Sequence, residues 1–355
     1  MIITIDCRML NSSGVGAYLQ GILPYLINSK YDILLFGNKK NINSLFPNLN
    51  AEIIECNIKP FSIKELFFFD KKIKDTINKT DIYLSPYFNI PNGINIPVYT
   101  TIHDIIFPDI KITSTLGLFL RMFFYRRAYK LSKKIFTVSN FSKSRIEFHL
   151  GDKTPVIVVN GSAVDNKVIE YRKKNNKITK KQTIVFVGNI KKHKGLSILL
   201  EAFIQAKLDG LPHDLVVIGN IEKFRTSDSS IIKKINSLNN NSIILTGLVS
   251  DEKLIEILSN SSLLIHPSLY EGFGLPPLEA LTLGTAVLIS DIPVFKEVYA
   301  NFPVTFFKTG DSNDLKMKLM SMLYNKTPPV PVLSDELLNK YTFEKTTSKI
   351  LEELL

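Results

Sequence analysis

A chain of 355 residues, 45% of them hydrophobic, is too long for one ordinary core and apolar enough to fill two, which excludes intrinsic disorder. Two cysteines, Cys7 and Cys56, exclude a disulfide framework or a zinc cluster and read as reduced thiols of a cytoplasmic protein. The net charge of +11 calls for an anionic partner, but no Trp and no nucleic-acid signature accompany it, so phosphates or an anionic membrane are expected and nucleic acid is not.

Met1–Asp6 is a short β-rich run without the basic start, apolar stretch and cleavage site of a signal peptide, so the fold is expected to begin at residue 1. No apolar run approaches the roughly 18 residues of a membrane-spanning helix. Strands are predicted at Ile2–Asp6, Asp32–Phe36, Asp81–Ser85, Pro97–Ile102, Ile135–Val138 and Val156–Val159. Between them lie predicted helices Gly16–Asn28, Ile63–Asn78, Ser114–Ser132 and Phe141–His149. This alternation implies a doubly wound parallel sheet over residues 1–170. The polar, basic stretch 171–182 reads as an exposed connection. The pattern restarts over 183–340, with strands at Ile184–Val187, Asp214–Ile218, Ser242–Thr246, Ser262–His266 and Ala286–Ile289. Helices are expected to start near Lys194, Thr226, Asp251 and Leu275, completing a second Rossmann-like unit. After Pro328-Pro329-Val330-Pro331, segment 341–355 holds a last helix, Phe343–Leu355, expected to return to the first domain.

The densest chemical signal is His266-Pro267-Ser268-Leu269-Tyr270-Glu271-Gly272-Phe273-Gly274-Leu275-Pro276-Pro277-Leu278-Glu279-Ala280, between a predicted strand and a predicted helix. Glycines there permit close backbone approach, and unpaired amides of a first helical turn attract an anion or hydroxyl. Glu271 and Glu279 bracket those amides as two hydroxyl-binding carboxylates, suited to sugar and ribose. Carboxylates that merely favour a helix's positive end are the competing reading. A second signal, Val187-Gly188-Asn189-Ile190-Lys191-Lys192-His193-Lys194-Gly195, places Lys194 at a helix start, where it can neutralise a diphosphate; Lys192 and His193 read as solvated loop. In the first half, Asn11-Ser12-Ser13-Gly14-Val15-Gly16 follows the first strand, and His103-Asp104 ends the fourth, where open parallel sheets bind ligands. Ser139 and Asn160-Gly161 read as cap and turn as readily as ligand contacts.

The Glu-Gly-Phe-Gly-Leu-Pro-x-Leu-Glu-Ala run resembles the Glu-x7-Glu motif of the family 4 retaining glycosyltransferases, and the likeness extends over nearly the whole chain. It implies a GT-B fold: two Rossmann-like doubly wound parallel-sheet domains facing across a cleft. It implies a hexosyltransferase that takes its sugar from a nucleotide-diphosphate sugar such as GDP-mannose, dTDP-rhamnose or a UDP-sugar, without a metal or other cofactor. The acceptor would be a glycan or lipid-linked glycan of a bacterial surface polysaccharide. By the resemblance Glu271 faces the donor sugar and Glu279 the ribose, while Phe273, Gly274 and Leu275 offer backbone amides to sugar and phosphate. Lys194 matches the phosphate-binding lysine, Gly14 and Gly16 the glycine-rich loop, and His103 the residue near the reactive carbon, with Asp104 fixing the loop or orienting His103. Asn189 stands where many members have arginine, a neutral amide in place of a charge. The turn Leu245–Val249 matches where relatives contact the base through main-chain groups. A GT-B epimerase and a nucleotide-sugar-binding partner subunit with a weakened site remain the alternatives.

No acidic residue falls between Lys111 and Arg145, a stretch rich in Arg, Lys, Phe and Tyr. Its apolar residues spread around much of the predicted helix, leaving two readings: peripheral contact with an anionic inner membrane face, or a buried helix with basic flanks.

Overall fold

The computed structural model describes residues 1–355 except 50, 111, 153, 176–178, 220–241, 325–327 and 355. It divides into two compact units, Met1–Ala163 with Tyr341–Leu355, and Val164–Lys340.

The first unit is built on a parallel sheet whose spatial order is β3 (Glu52–Glu55), β2 (Asp32–Gly37), β1 (Ile2–Asp6), β4 (Ile82–Ser85), β5 (Val98–Thr101), β6 (Ser132–Thr137) and β7 (Val156–Val159). Strands β4 and β5 are buried along their whole length, which is why they read as unbroken runs rather than alternating ones. The order reverses between β1 and β4. The second unit repeats the design with β10 (Ile243–Gly247), β9 (Asp214–Ile218), β8 (Lys181–Val187), β11 (Ser261–His266), β12 (Ala286–Ser290) and β13 (Thr305–Phe307), reversing between β8 and β11. Such reversals open a crevice at the carboxyl ends of the central strands.

Several sequence expectations are corrected. Segment 171–182 is exposed or half-buried at its described positions, but secondary structure enters it from both ends: helix Asn166–Lys174, capped by Asp165 and burying Val168, runs into it, and β8 already starts at Lys181. The Lys180 ammonium turns inward to the Ser259 carbonyl at 2.6 Å and Thr285 Oγ1 at 2.7 Å. The boundary therefore falls after Ala163, not at 170. The expected helix Ile63–Asn78 is two, Ile63–Phe67 and Lys71–Ile77, because the Asp70 side chain accepts from the Ile73 amide at 2.9 Å and starts a new helix. Edge strands β3 and β13 were not anticipated; both are short and only partly buried. The helix expected near Thr226 lies outside the described residues. Helix Phe343–Glu353 packs against helix Ser13–Ile27, where Gly21 leaves room for the Phe343 ring that any Cβ would strike.

Candidate active site

In the second unit both central strands end in loops that touch. Gly195 has φ +70°, and a Cβ there would run into the Pro267 carbonyl, so only glycine lets the loop after β8 press on the loop after β11. The Leu269 amide donates to the His193 carbonyl at 2.7 Å and ties the two together. This contact sets the Lys194 ammonium 2.6 Å from Glu271 Oε1. His266 Nε2 at 2.9 Å and Ser268 Oγ at 2.8 Å donate to the same oxygen.

Burial alone would raise the Glu271 carboxyl, but the Lys194 charge and the His266 hydrogen bond outweigh it and hold the group below the ordinary carboxylate range. Glu271 is therefore an anion at any physiological pH, unable to act as a general acid. The His266 ring is buried and its basicity is lowered by burial against the pull of Glu271. Since Nε2 carries the proton toward Glu271, Nδ1 is an acceptor, buried and without a partner among the described residues. His193 is not solvated loop, as its sequence context suggested. It is buried, and burial with the neighbouring Lys194 charge lowers it to about 4, so it is neutral and adds no charge to compensate for Asn189.

Helix Leu275–Thr282 opens at Gly274, held at φ +86° with the Phe295 ring where a Cβ would be and its carbonyl accepting from the Tyr299 hydroxyl. Pro276 and Pro277 have no N–H, so they leave no orphan donors in the first turn. The amides of Gly274 and Leu275 remain, with no acceptor among the described residues. Phe273 is buried beside them. One turn into the helix, the Glu279 carboxyl is raised to about 7 by burial and by the negative charges of Asp165 and Asp251. Asp251 in turn pairs with Lys167 at 3.2 Å. Asn189 lies partly buried just after β8, where the Gly219 backbone packs too close to the Gly188 carbonyl to admit a Cβ.

In the first unit, Gly14 and Gly16 do not form a loop before a helix. Helix Ser13–Ile27 already contains them, and at Gly16 a Cβ would meet the Leu10 carbonyl at 2.5 Å. The Ser12 side chain at its N-terminus makes no capping hydrogen bond and donates instead to Met9 Sδ at 3.6 Å, so the first-turn amides are not covered by that side chain. His103 Nε2 lies 3.0 Å from the Pro86 carbonyl, and its ring packs edge-on to Tyr18 at 4.8 Å between centroids. Burial lowers it to about 4, so the ring is neutral. Asp104 Oδ1 accepts from the Ile106 amide at 3.2 Å, which fixes the loop. Ser139 caps helix Asn140–Leu150, and Asn160 Nδ2 donates to the Tyr18 hydroxyl at 2.6 Å.

The structure thus gathers Asn189, Lys194, Glu271, Phe273, Gly274, Leu275 and Glu279 at the strand reversal of one unit. Among the described residues no cluster of His, Cys, Asp or Glu is arranged to hold a metal ion. The sequence model of the glycosyl transferases group 1 matches residues 167–336, which contain that entire cluster. Residues 167–336 are a group 1 glycosyl transferase domain. The fold of the chain is GT-B, as in the UDP complex of HepE from Anabaena, which superposes with a TM-score of 0.73 at 16% identity over 99% of both chains. A glycosyltransferase from Rickettsia africae gives 0.70 at 19% identity, over 99% of this chain and 97% of that one. Among curated sequences the chain is similar to the O-antigen chain mannosyltransferase RfbU of Salmonella typhimurium, 28% identical over 206 residues, 57% of this chain and 54% of RfbU. It is 35% identical to the serotype-specific mannosyltransferase WbdA of Escherichia coli over 124 residues, 33% of this chain and 14% of WbdA. The likeness therefore spans about half the length of RfbU and far less of WbdA.

Sequence reasoning passed over four residues around this site, three of them, His266, Ser268 and Asp251, inside the matched range and Asp165 just before it. His266 and Ser268 precede Glu271 by five and three positions in the quoted motif, and only the bend of the loop after β11 turns all three side chains onto one point. Asp165 and Asp251 cap or open distant helices, and nothing in their spacing links them to Glu279.

Proposed function

We propose that this chain is a metal-independent, retaining hexosyltransferase that uses a nucleotide-diphosphate sugar and builds a bacterial surface polysaccharide on a glycan or lipid-linked acceptor. The observation that carries this reading is the Lys194–Glu271 pair beside the open Gly274 and Leu275 amides. On this reading the cation and the two backbone donors neutralise a departing diphosphate, and the carboxylate keeps its second oxygen for a sugar hydroxyl. In the absence of donor the lysine is neutralised by Glu271; a bound diphosphate shares it. Glu279 serves the ribose, and neutral His103 offers hydrogen bonding rather than charge. GDP-mannose is the first donor to try, since RfbU and WbdA are mannosyltransferases.

A panel of GDP-mannose, dTDP-rhamnose and UDP-glucose, read by thermal shift and then by transfer to lipid-linked sugars, tests the reading. The expected outcome is a stabilising donor and a product whose anomeric proton, by NMR, keeps the donor's configuration, with activity unchanged in EDTA. Conversion of donor to an epimer without acceptor would instead assign an epimerase. Activity lost in EDTA and restored by Mg²⁺ or Mn²⁺ would overturn the metal-free reaction.

A further inference from the structure

Helix Thr115–Leu131 turns its apolar residues the wrong way for a purely structural helix. Tyr125 and Ala128 face the core, and Arg121 stacks on Phe107 with its guanidinium 3.7 Å from the ring centre. Leu116, Phe119, Leu120 and Phe123, related by three- and four-residue spacings as i, i+3, i+4 and i+7, lie on the opposite face, between 48% and 69% exposed. Arg126 and Lys130 continue that same face toward the helix end and are also exposed. The stripe that sequence alone scattered around the helix is thus a single outward one, apolar in its first half and basic in its second.

Beside it lies a groove of about 550 Å³, walled by loop Pro91–Asn95 on one side and by Phe119, Phe123, Arg126, Arg127 and Lys130 on the other. No acidic residue lines it among the described residues. The loop is held rigidly: Arg127 donates to the Ile90 carbonyl at 2.5 Å, Asn78 Nδ2 to the Gly93 carbonyl at 2.9 Å, and the Asn95 amide to Asn78 Oδ1 at 2.9 Å. The groove is therefore preformed, and none of its residues belongs to the candidate active site. The short helix Ile63–Phe67, whose Glu65 carbonyl accepts from the Asn92 amide of this loop, adds Ile63 and Phe67, each more than 70% exposed.

We propose that this face is a docking surface for an anionic phospholipid bilayer. Phe119, Phe123 and their apolar neighbours enter the boundary between headgroups and acyl chains, while Arg126 and Lys130 meet lipid phosphates at the groove. Apolar residues exposed in a continuous row are unfavourable in water and favourable at that boundary, and the uncompensated positive charge next to them selects an anionic surface over a neutral one. Arg127 is not part of the contact, because its guanidinium is spent on the loop carbonyls.

Flotation with phosphatidylcholine vesicles, with and without phosphatidylglycerol, tests the surface with the full chain. Wild type is expected to float with the anionic vesicles at low salt and to release at about 1 M salt, where charges are screened beyond roughly 3 Å. The paired variants Phe119→Ser/Phe123→Ser and Arg126→Gln/Lys130→Gln should each lower the bound fraction about tenfold, the scale of losing two contacts with the leaflet. Lys345→Gln/Lys349→Gln, exposed on the C-terminal helix of the same unit, should float as wild type does. Thermal melts equal to wild type show that the variants fold, which is expected because every altered side chain is exposed. Failure of wild type to float overturns the proposal, as does equal binding of neutral vesicles, equal flotation of the Arg126/Lys130 pair, or an equal loss in the Lys345/Lys349 control. Concentration-dependent self-association abolished by Phe119→Ser/Phe123→Ser, without flotation, would assign the face to a second copy of the chain instead.

Discussion

Replacing Glu279 with glutamine keeps the shape of the side chain and removes its titration. Burial and the charges of Asp165 and Asp251 raise this carboxyl from 4.5 to about 7. The folded chain therefore holds the proton more tightly than the unfolded chain does. The resulting stabilisation is complete below pH 4.5 and is lost as pH rises through about 7, so at higher pH the wild type carries an unfavourable buried charge. At about 1.4 kcal/mol for each tenfold in proton affinity, the difference amounts to at most about 3 kcal/mol. Partial solvent access to the side chain lowers the expectation to roughly 1–2 kcal/mol. In a unit of this size 1 kcal/mol moves Tm by about 2–4 °C, so Glu279→Gln should melt about 2–8 °C above wild type near pH 8. Near pH 4.5 the two should melt together. The same change removes a charged acceptor for ribose hydroxyls, and donor affinity should fall about tenfold or more. Paired melts without ligand at the two pH values, followed by donor titration, measure both effects. A Tm difference that is the same at both pH values would refute the titration argument, and unchanged donor affinity would remove Glu279 from the site.

Glu271→Ala and Lys194→Ala should each reduce transfer at least about 100-fold while the protein stays folded, the loss expected when one transition-state partner is removed. Near-normal turnover in either purified variant takes that residue out of the mechanism. Gly195→Ala should destabilise the second unit by about 2–4 kcal/mol, combining a left-handed backbone with a Cβ driven into the Pro267 carbonyl. A melting temperature within 2 °C of wild type, on a scale of about 2–4 °C per kcal/mol, would show that the two loops do not press together as described.

Sequence alone determined the elements whose signals are local. The buried strands β4, β5, β11 and β12 were legible because a strand covered on both faces must be an unbroken apolar or β-branched run. The placement of Lys194 and Glu271 in the loops after β8 and β11 was legible because each precedes a glycine near a strand end, with Glu279 one turn into the helix that follows, and βα alternation fixes where such ends lie in a parallel sheet. Edge strands β3 and β13 escaped, since one row of partners and partial burial leave little pattern in three or four residues. The helix end at the start of the basic segment after Tyr171 was missed because a helix that buries one residue and exposes its charges looks like a connection in one dimension. Only the tertiary structure decided which groups share a point in space: that His266, Ser268 and Lys194 converge on one oxygen of Glu271, that Asp165 and Asp251 raise Glu279, and that the apolar row of helix Thr115–Leu131 faces outward. The reason is common to all three. Charge state and exposure depend on neighbours brought from distant positions, and spacing along the chain carries that information only within a single loop or helix turn.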